Sequence, residues 1–196
     1  MARRGQRVAQ VSTAGGPRAA AAPRDPVDPP QELLGTLVVL RRATDADAAA
    51  LLRILDEPEV AAWWRRDEWE RLDEHDAVTF AIEHEDRVAG CVQFSEETDP
   101  DYFSAAVDIF VSAAVQGRGV GTDAMRTLIA WLLDGRGHHR LTVDPAAANE
   151  RAIHVYERLG FRIVGVLRAY ERVADDTWRD ALLMELQAAG FVRGDA

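Results

Sequence analysis

Apolar and polar positions along the chain change period several times, and each change marks a predicted element. An apolar run over 36–40 predicts a first strand. Thr44-Asp45-Ala46-Asp47 has the layout of a capping box, and Leu51, Leu52 and Leu55 behind it share one helical face. A second helical stretch is predicted around 59–72 and contains Trp63 and Trp64. Residues 78–82 and 87–94 read as hairpin strands around Glu85-Asp86. The next strand, 105–111, is apolar except at Asp108. A glycine-rich turn follows it and feeds a helix with Val120, Ala124, Leu128 and Leu132 at four-residue spacing, stopped at Asp134-Gly135. A short strand over 140–143, a helix over 149–159 stopped by Gly160, and a closing hairpin of 161–170 with 181–186 complete the order β-α-α-β-β-β-α-β-α-β-β. This is a mixed α/β (α+β) pattern with seven strands and no internal repeat.

Composition narrows the picture without altering it. The 196 residues, 47% hydrophobic, suit one domain with a full core. Residues 1–30 differ: five arginines against two aspartates give +3, which leaves −13 for the rest of a chain whose net charge is −10. Rich in Ala, Gly and Pro and lacking periodicity, residues 1–33 are expected to be a disordered tail, with the domain spanning 34–190. Its five prolines argue against an amphipathic targeting helix. The basic residues are all arginine, and the net negative charge argues against nucleic acid and favours a cationic partner or simply a soluble surface. No apolar run is long enough to cross a bilayer. One cysteine, Cys91, excludes a disulfide framework, so a cytoplasmic setting is expected. The five histidines form no metal constellation, and His138 and His139 read as surface residues.

The chemistry concentrates at the glycine turn. Strand 107–111 leads through Ser-Ala-Ala-Val into Gln116-Gly117-Arg118-Gly119-Val120-Gly121-Thr122, where the helix begins. Glycines at 117, 119 and 121 remove every second side chain, so successive backbone N–H groups can approach an anion that the helix dipole also favours. A pyrophosphate suits this arrangement. Arg118 would add a charge-assisted contact. Asp108 is the other signal, because a carboxylate in an apolar strand costs several kcal/mol unless it is paired or faces a site.

The order of elements, the Gln-Gly-Arg-Gly-Val-Gly turn, Asp144-Pro145 and the run Asn149-Glu-Arg-Ala-Ile153-His-Val-Tyr156-Glu-Arg-Leu-Gly160-Phe161 resemble the GNAT superfamily of N-acetyltransferases over roughly residues 36–188. Together with Trp63-Trp64 and Glu96-Glu97-Thr98-Asp99-Pro100, they look most like aminoglycoside 6′-N-acetyltransferases. The resemblance implies a mostly antiparallel seven-stranded sheet splayed between its fourth and fifth strands and flanked by about four helices. It implies acetyl-CoA as cosubstrate and no metal. Its pyrophosphate would lie on Gln116, Gly117, Arg118, Gly119, Val120, Gly121 and Thr122, and its pantetheine arm along Phe110 and Val111 with Asn149 in contact. Asp108 would be the general base and Tyr156 the donor to the departing thiolate.

A free aspartate near pKa 3.9 and an amine near 10.4 are mismatched by about 6.5 units, roughly 9 kcal/mol, so Asp108 is expected to act through water. Trp63, Trp64, Glu96, Glu97, Asp99 and Asp144 are the expected contacts to a cationic small-molecule amine, in a monomer or homodimer. The loop from Asp99 to Ser104 is longer than in the best-known relatives, and a tryptophan pair found there in some of them is missing. Acetylation of a protein N-terminus, a polyamine or a siderophore lysine is the alternative, and a non-catalytic acetyl-CoA sensor a second one.

Overall fold

The chain runs through β1 (Glu32–Leu34), β2 (Val39–Arg42), α1 (Ala48–Leu55), α2 (Pro58–Ala61), β3 (Val78–His84), β4 (Arg87–Glu97), β5 (Ser104–Val111), α3 (Val120–Ala130), β6 (Arg140–Val143), α4 (Glu150–Leu159), β7 (Arg162–Arg172) and β8 (Trp178–Gln187). The computed structural model describes residues 28–66, 77–173 and 177–194. Residues 1–27 of the expected tail and the end of the expected 59–72 helix lie outside the described residues. No helix among those described is long and apolar enough to cross a membrane.

One sheet takes all eight strands in the order β1-β2-β3-β4-β5-β6-β8-β7, antiparallel except for β5 with β6. The additional strand is β1, which pairs Leu33 with Leu40, so among the described residues regular structure begins at Glu32. The expected first strand at 36–40 is displaced to Val39–Arg42 for the same reason. Gly35 N–H donates to Val38 O, and the buried carboxylate of Asp123 on α3 accepts from Leu37 N and Val38 N, so this stretch is a turn clipped to a helix.

Thr44 opens its helical segment with the expected capping box, a 3₁₀ turn precedes α1, and α1 buries Leu51, Ile54 and Leu55. Glu85 and Asp86 both take positive φ at the β3–β4 turn, the conformation that a two-residue hairpin of this twist requires. The helix of α3 does not stop at Asp134-Gly135. It passes into a wider π-type segment over Trp131–Arg136 and ends at Gly137, whose φ is +88°.

Alternation along β4 and β5 divides the side chains between two faces. Val92 and Phe94 enter the main core beneath α3, while Cys91 and Phe110 join Leu51, Ile54, Leu55 and Val60 of α1 and α2 on the opposite face. On α3, Val120, Ala124, Met125, Leu128 and Ile129 are fully buried. Truncating such a residue costs about 2–5 kcal/mol, more than any cap contributes, so the buried face of α3 sets where the glycine turn sits.

Candidate functional site

β5 and β6 pair only at Ala105↔Leu141 and Ala106↔Thr142, after which they diverge. The parallel strands open into a wedge that α4 walls, and two adjoining cavities occupy it. A cavity of about 480 Å³ is lined by Asp108, Gln93 and Ser95 from the central strands, Asp144 after β6, Tyr156 of α4, Tyr170 and Glu171 of β7, and Trp63 and Trp64. A second, of about 780 Å³, is lined by Phe110, Val111, Gln116, Gly117, Gly119, Gly121, Thr122, Arg151 and Arg158. Trp63, Trp64, Ile109, Asn149, Ala152 and Tyr156 line both.

The glycine turn shapes the second cavity through its backbone. Gly117 has φ +76° and Gly119, the N-cap of α3, +87°, conformations that glycine adopts without strain. The N–H groups of Val120, Gly121 and Thr122 stand in the first helical turn, which has no intrahelical acceptors, and no side chain caps it. The Val120 side chain is fully buried beneath the turn, so only its backbone can serve a ligand. Arg118 departs from expectation. It does not line the cavity, and its guanidinium lies 3.6 Å from Glu85 on the β3–β4 turn.

Among the described residues, the cations of this cavity are instead Arg151 and Arg158 on α4, with Arg151 donating to the Gln116 side-chain oxygen. Gln116 in turn donates to Val111 O at 3.0 Å. Glu57 holds the start of the turn, accepting from Ser112 Oγ at 2.9 Å and Ala113 N at 2.6 Å. Asn149 caps α4 through Ala152 N, as its position before the helix implies.

In the first cavity Asp108 projects from the same sheet face as Cys91 and Phe110, and Gln93 directly across the ladder approaches it with Nε2 3.5 Å from Oδ2. The negative charge of Asp108 is felt widely. Burial, then Asp108, raises the Cys91 thiol pKa, and burial, then Asp108 and Asp144, raises that of the Tyr156 phenol. Tyr170 donates to Asp144 Oδ2 at 2.6 Å, and this bond with burial pushes its hydroxyl up to about 12. Arg179 of β8 grips Glu171, donates to the carbonyls of Ala62 and Trp63, and lies over the Trp63 ring at 5.7 Å. Trp64 packs edge-on to Phe110 at 5.3 Å. Both tryptophans are thus fixed walls.

Three expected substrate contacts are not in the cavity. Glu96 and Glu97 belong to β4, not to the loop after it, and strand alternation turns Glu96 to the α3 face. There it accepts from Arg136 at 2.6 and 2.7 Å and from His138 Nε2 at 2.6 Å. Burial would raise its pKa, but the His138 and Arg136 hydrogen bonds outweigh this and bring it down to about 2. His138, expected at the surface, is 1% exposed and stacks on Phe103. Glu97 accepts from Asp99 N, and Asp99 from Asp101 N, as exposed turn contacts.

Gln93, Tyr170, Glu171, Arg151, Arg158 and Arg179 were not expected from the sequence. Gln93 carries a signal by lying opposite Asp108 in the hairpin register, and Arg151 and Arg158 by their places within the Asn149–Phe161 run.

The sequence pattern of the Acetyltransferase (GNAT) family matches residues 48–161. The chain is similar to aminoglycoside N(6′)-acetyltransferase type 1 of Klebsiella pneumoniae, 25% identical over 155 residues covering 66% of this chain and 76% of that protein. It is also similar to spermidine N(1)-acetyltransferase of Escherichia coli K12, 29% identical over 105 residues covering 54% and 55%. Mycobacterium smegmatis RimJ in complex with CoA-disulfide shares the fold, with a TM-score of 0.69 and 24% identity over 81% of this chain and 86% of that one.

Proposed function

The chain belongs to the Acetyltransferase (GNAT) family, and on that premise we propose that it transfers acetyl from acetyl-CoA directly to a primary amine of a cationic small molecule, the 6′-amino group of an aminoglycoside. One observation carries the choice of acceptor. Among the described residues, the first cavity is lined by three carboxylates, Asp108, Asp144 and Glu171, with Trp63, Trp64, Tyr156 and Tyr170, and by no Arg or His. A ring-bearing polycation matches both its charge and its aromatic walls.

The second cavity suits coenzyme A. Its glycine backbone, the uncapped start of α3 and the cations Arg151 and Arg158 are the donor set that phosphates need. Acetyl-CoA supplies an activated thioester. Phe110 and Val111, on the part of β5 that has left β6, are assigned to its pantetheine arm with Asn149. Residues common to both cavities, Tyr156 and Ile109 among them, mark where the thioester and the amine meet.

Asp108 orients the amine and takes its proton through water, because the mismatch of about 6.5 pKa units disfavours direct transfer. Tyr156 serves the departing sulfur as a hydrogen-bond donor. A phenol raised above its ordinary value, near 10, is a weaker acid than a thiol near 8.5, so full donation of its proton is uphill.

The similarity to a spermidine acetyltransferase favours a polyamine as the second reading, and the same acidic cavity accommodates one. Thiol release from acetyl-CoA with kanamycin and tobramycin, set against spermidine and peptide panels, separates the two. Faster turnover of the aminoglycosides is expected. Spermidine or peptides preferred by a large factor would replace the reading.

A further inference from the structure

β7 does not follow a regular register along β8. It advances from Leu167 to Glu171 while β8 advances only from Ala181 to Arg179, so extra residues are accommodated on β7. Ala169 lies in this irregularity with φ +46°, a conformation that disfavours any residue with a Cβ. Asp180 on β8 holds it there, Oδ1 accepting from Ala169 N at 2.8 Å.

The consequence is local. Adjacent residues of a regular strand face opposite sides, yet Tyr170 and Glu171 both line the first cavity. The bulge turns Tyr170 so that its hydroxyl reaches Asp144 Oδ2 at 2.6 Å. The loop bearing Asp144 is itself tied to β8, since Leu182 N donates to Pro145 O and Ala147 N to Asp180 O.

Glu171 is already occupied by Arg179, whereas the partner of Asp144 is a neutral phenol. Tyr170 Oη, having donated its only hydrogen, can only accept from a ligand, and so can the second carboxylate oxygen of Asp144. The pair is therefore a negatively charged site for a group with several N–H donors, in the cavity that also holds Asp108.

Resting on the acceptor assignment above, we propose that Tyr170, delivered by the Ala169 bulge, is a specificity-determining residue that with Asp144 holds a second ammonium of the acceptor while the reacting amine lies at Asp108. The acceptor class is thereby narrowed to amines with at least two cationic groups. Asp180 acts through the bulge and is a positioning residue.

The test compares kcat/KM for kanamycin A with that for 6-amino-6-deoxyglucose, which presents the same reacting amine without a second cation. Tyr170→Phe is expected to lower the ratio of the two about tenfold, through KM for kanamycin. Asp180→Ala is expected to lower it similarly, and Asp180→Asn, which keeps an acceptor for Ala169 N, to restore it. Equal losses on both amines, or an unchanged ratio, would overturn the proposal. If wild-type protein turns over neither amine, the acceptor assignment fails, and calorimetric titration with kanamycin A still decides the role of Tyr170. Weaker binding to Tyr170→Phe than to wild type supports that role, and equal binding or none to wild type overturns it.

Discussion

Replacing Glu96 with alanine is expected to lower stability by about 3 kcal/mol without weakening acceptor binding. The substitution removes the carboxylate that accepts two hydrogen bonds from Arg136 and one from His138, residues that are 7% and 1% exposed. Breaking a buried pair from one side costs about 3–5 kcal/mol. The lower end applies because Arg136 keeps further interactions, including attraction to Asp28. For a chain of this length that is a fall in Tm of roughly 6–12 °C.

A pH series adds an independent check. The folded-state pKa of Glu96 is depressed from an ordinary 4.5 to about 2, so its contribution is fully present above about 4.5 and is lost as pH falls toward 2. The gap between wild type and variant in urea unfolding should narrow as pH falls below about 4.5. An unchanged Tm together with a raised KM for kanamycin would refute this reasoning and return Glu96 to the acceptor site.

Three other substitutions test the machinery. Asp108→Asn should lower kcat by about 10²-fold or more with the KM for acetyl-CoA changed little, and unchanged steady-state kinetics would remove Asp108 from the reaction. Gly119→Ala should lose about 1–2 kcal/mol in thermal unfolding because its φ is +87°, whereas Gly121→Ala adds a Cβ at an ordinary 3.6 Å from Val111 and should unfold like wild type. A larger loss at Gly121 than at Gly119 would contradict the backbone argument.

The half of the site assigned to acetyl-CoA was more legible than the half assigned to the acceptor, and the reason is physical. The strand, glycine turn and helix start are contiguous, so Gly117, Gly119, Gly121 and Thr122 fall in one cavity by local geometry alone, and Asn149 caps α4 from its position in sequence. Arg118 belongs to the turn in sequence, but its long side chain can point either way, and it reaches Glu85. The acceptor carboxylates were harder. Glu96, Glu97 and Asp99 do not line the cavity with Trp63 and Trp64, since the extension of β4 to Glu97 turns Glu96 to the α3 face and leaves Glu97 and Asp99 in exposed turn contacts. Tyr170 and Glu171, which do line the cavity with Asp108, come from β7 at the far edge of the sheet.

By itself the sequence determined what depends on neighbours along the chain. These are the capped helices, the positive-φ hairpin turn, the glycine cradle, and Asp108 as a carboxylate set in an apolar strand. The tertiary structure alone decided how far β5 and β6 stay paired, which partner claims each carboxylate, and how the Ala169 bulge brings Tyr170 onto Asp144. Those outcomes arise where segments more than twenty residues apart compete for the same hydrogen bonds, and a local pattern does not encode which of them wins.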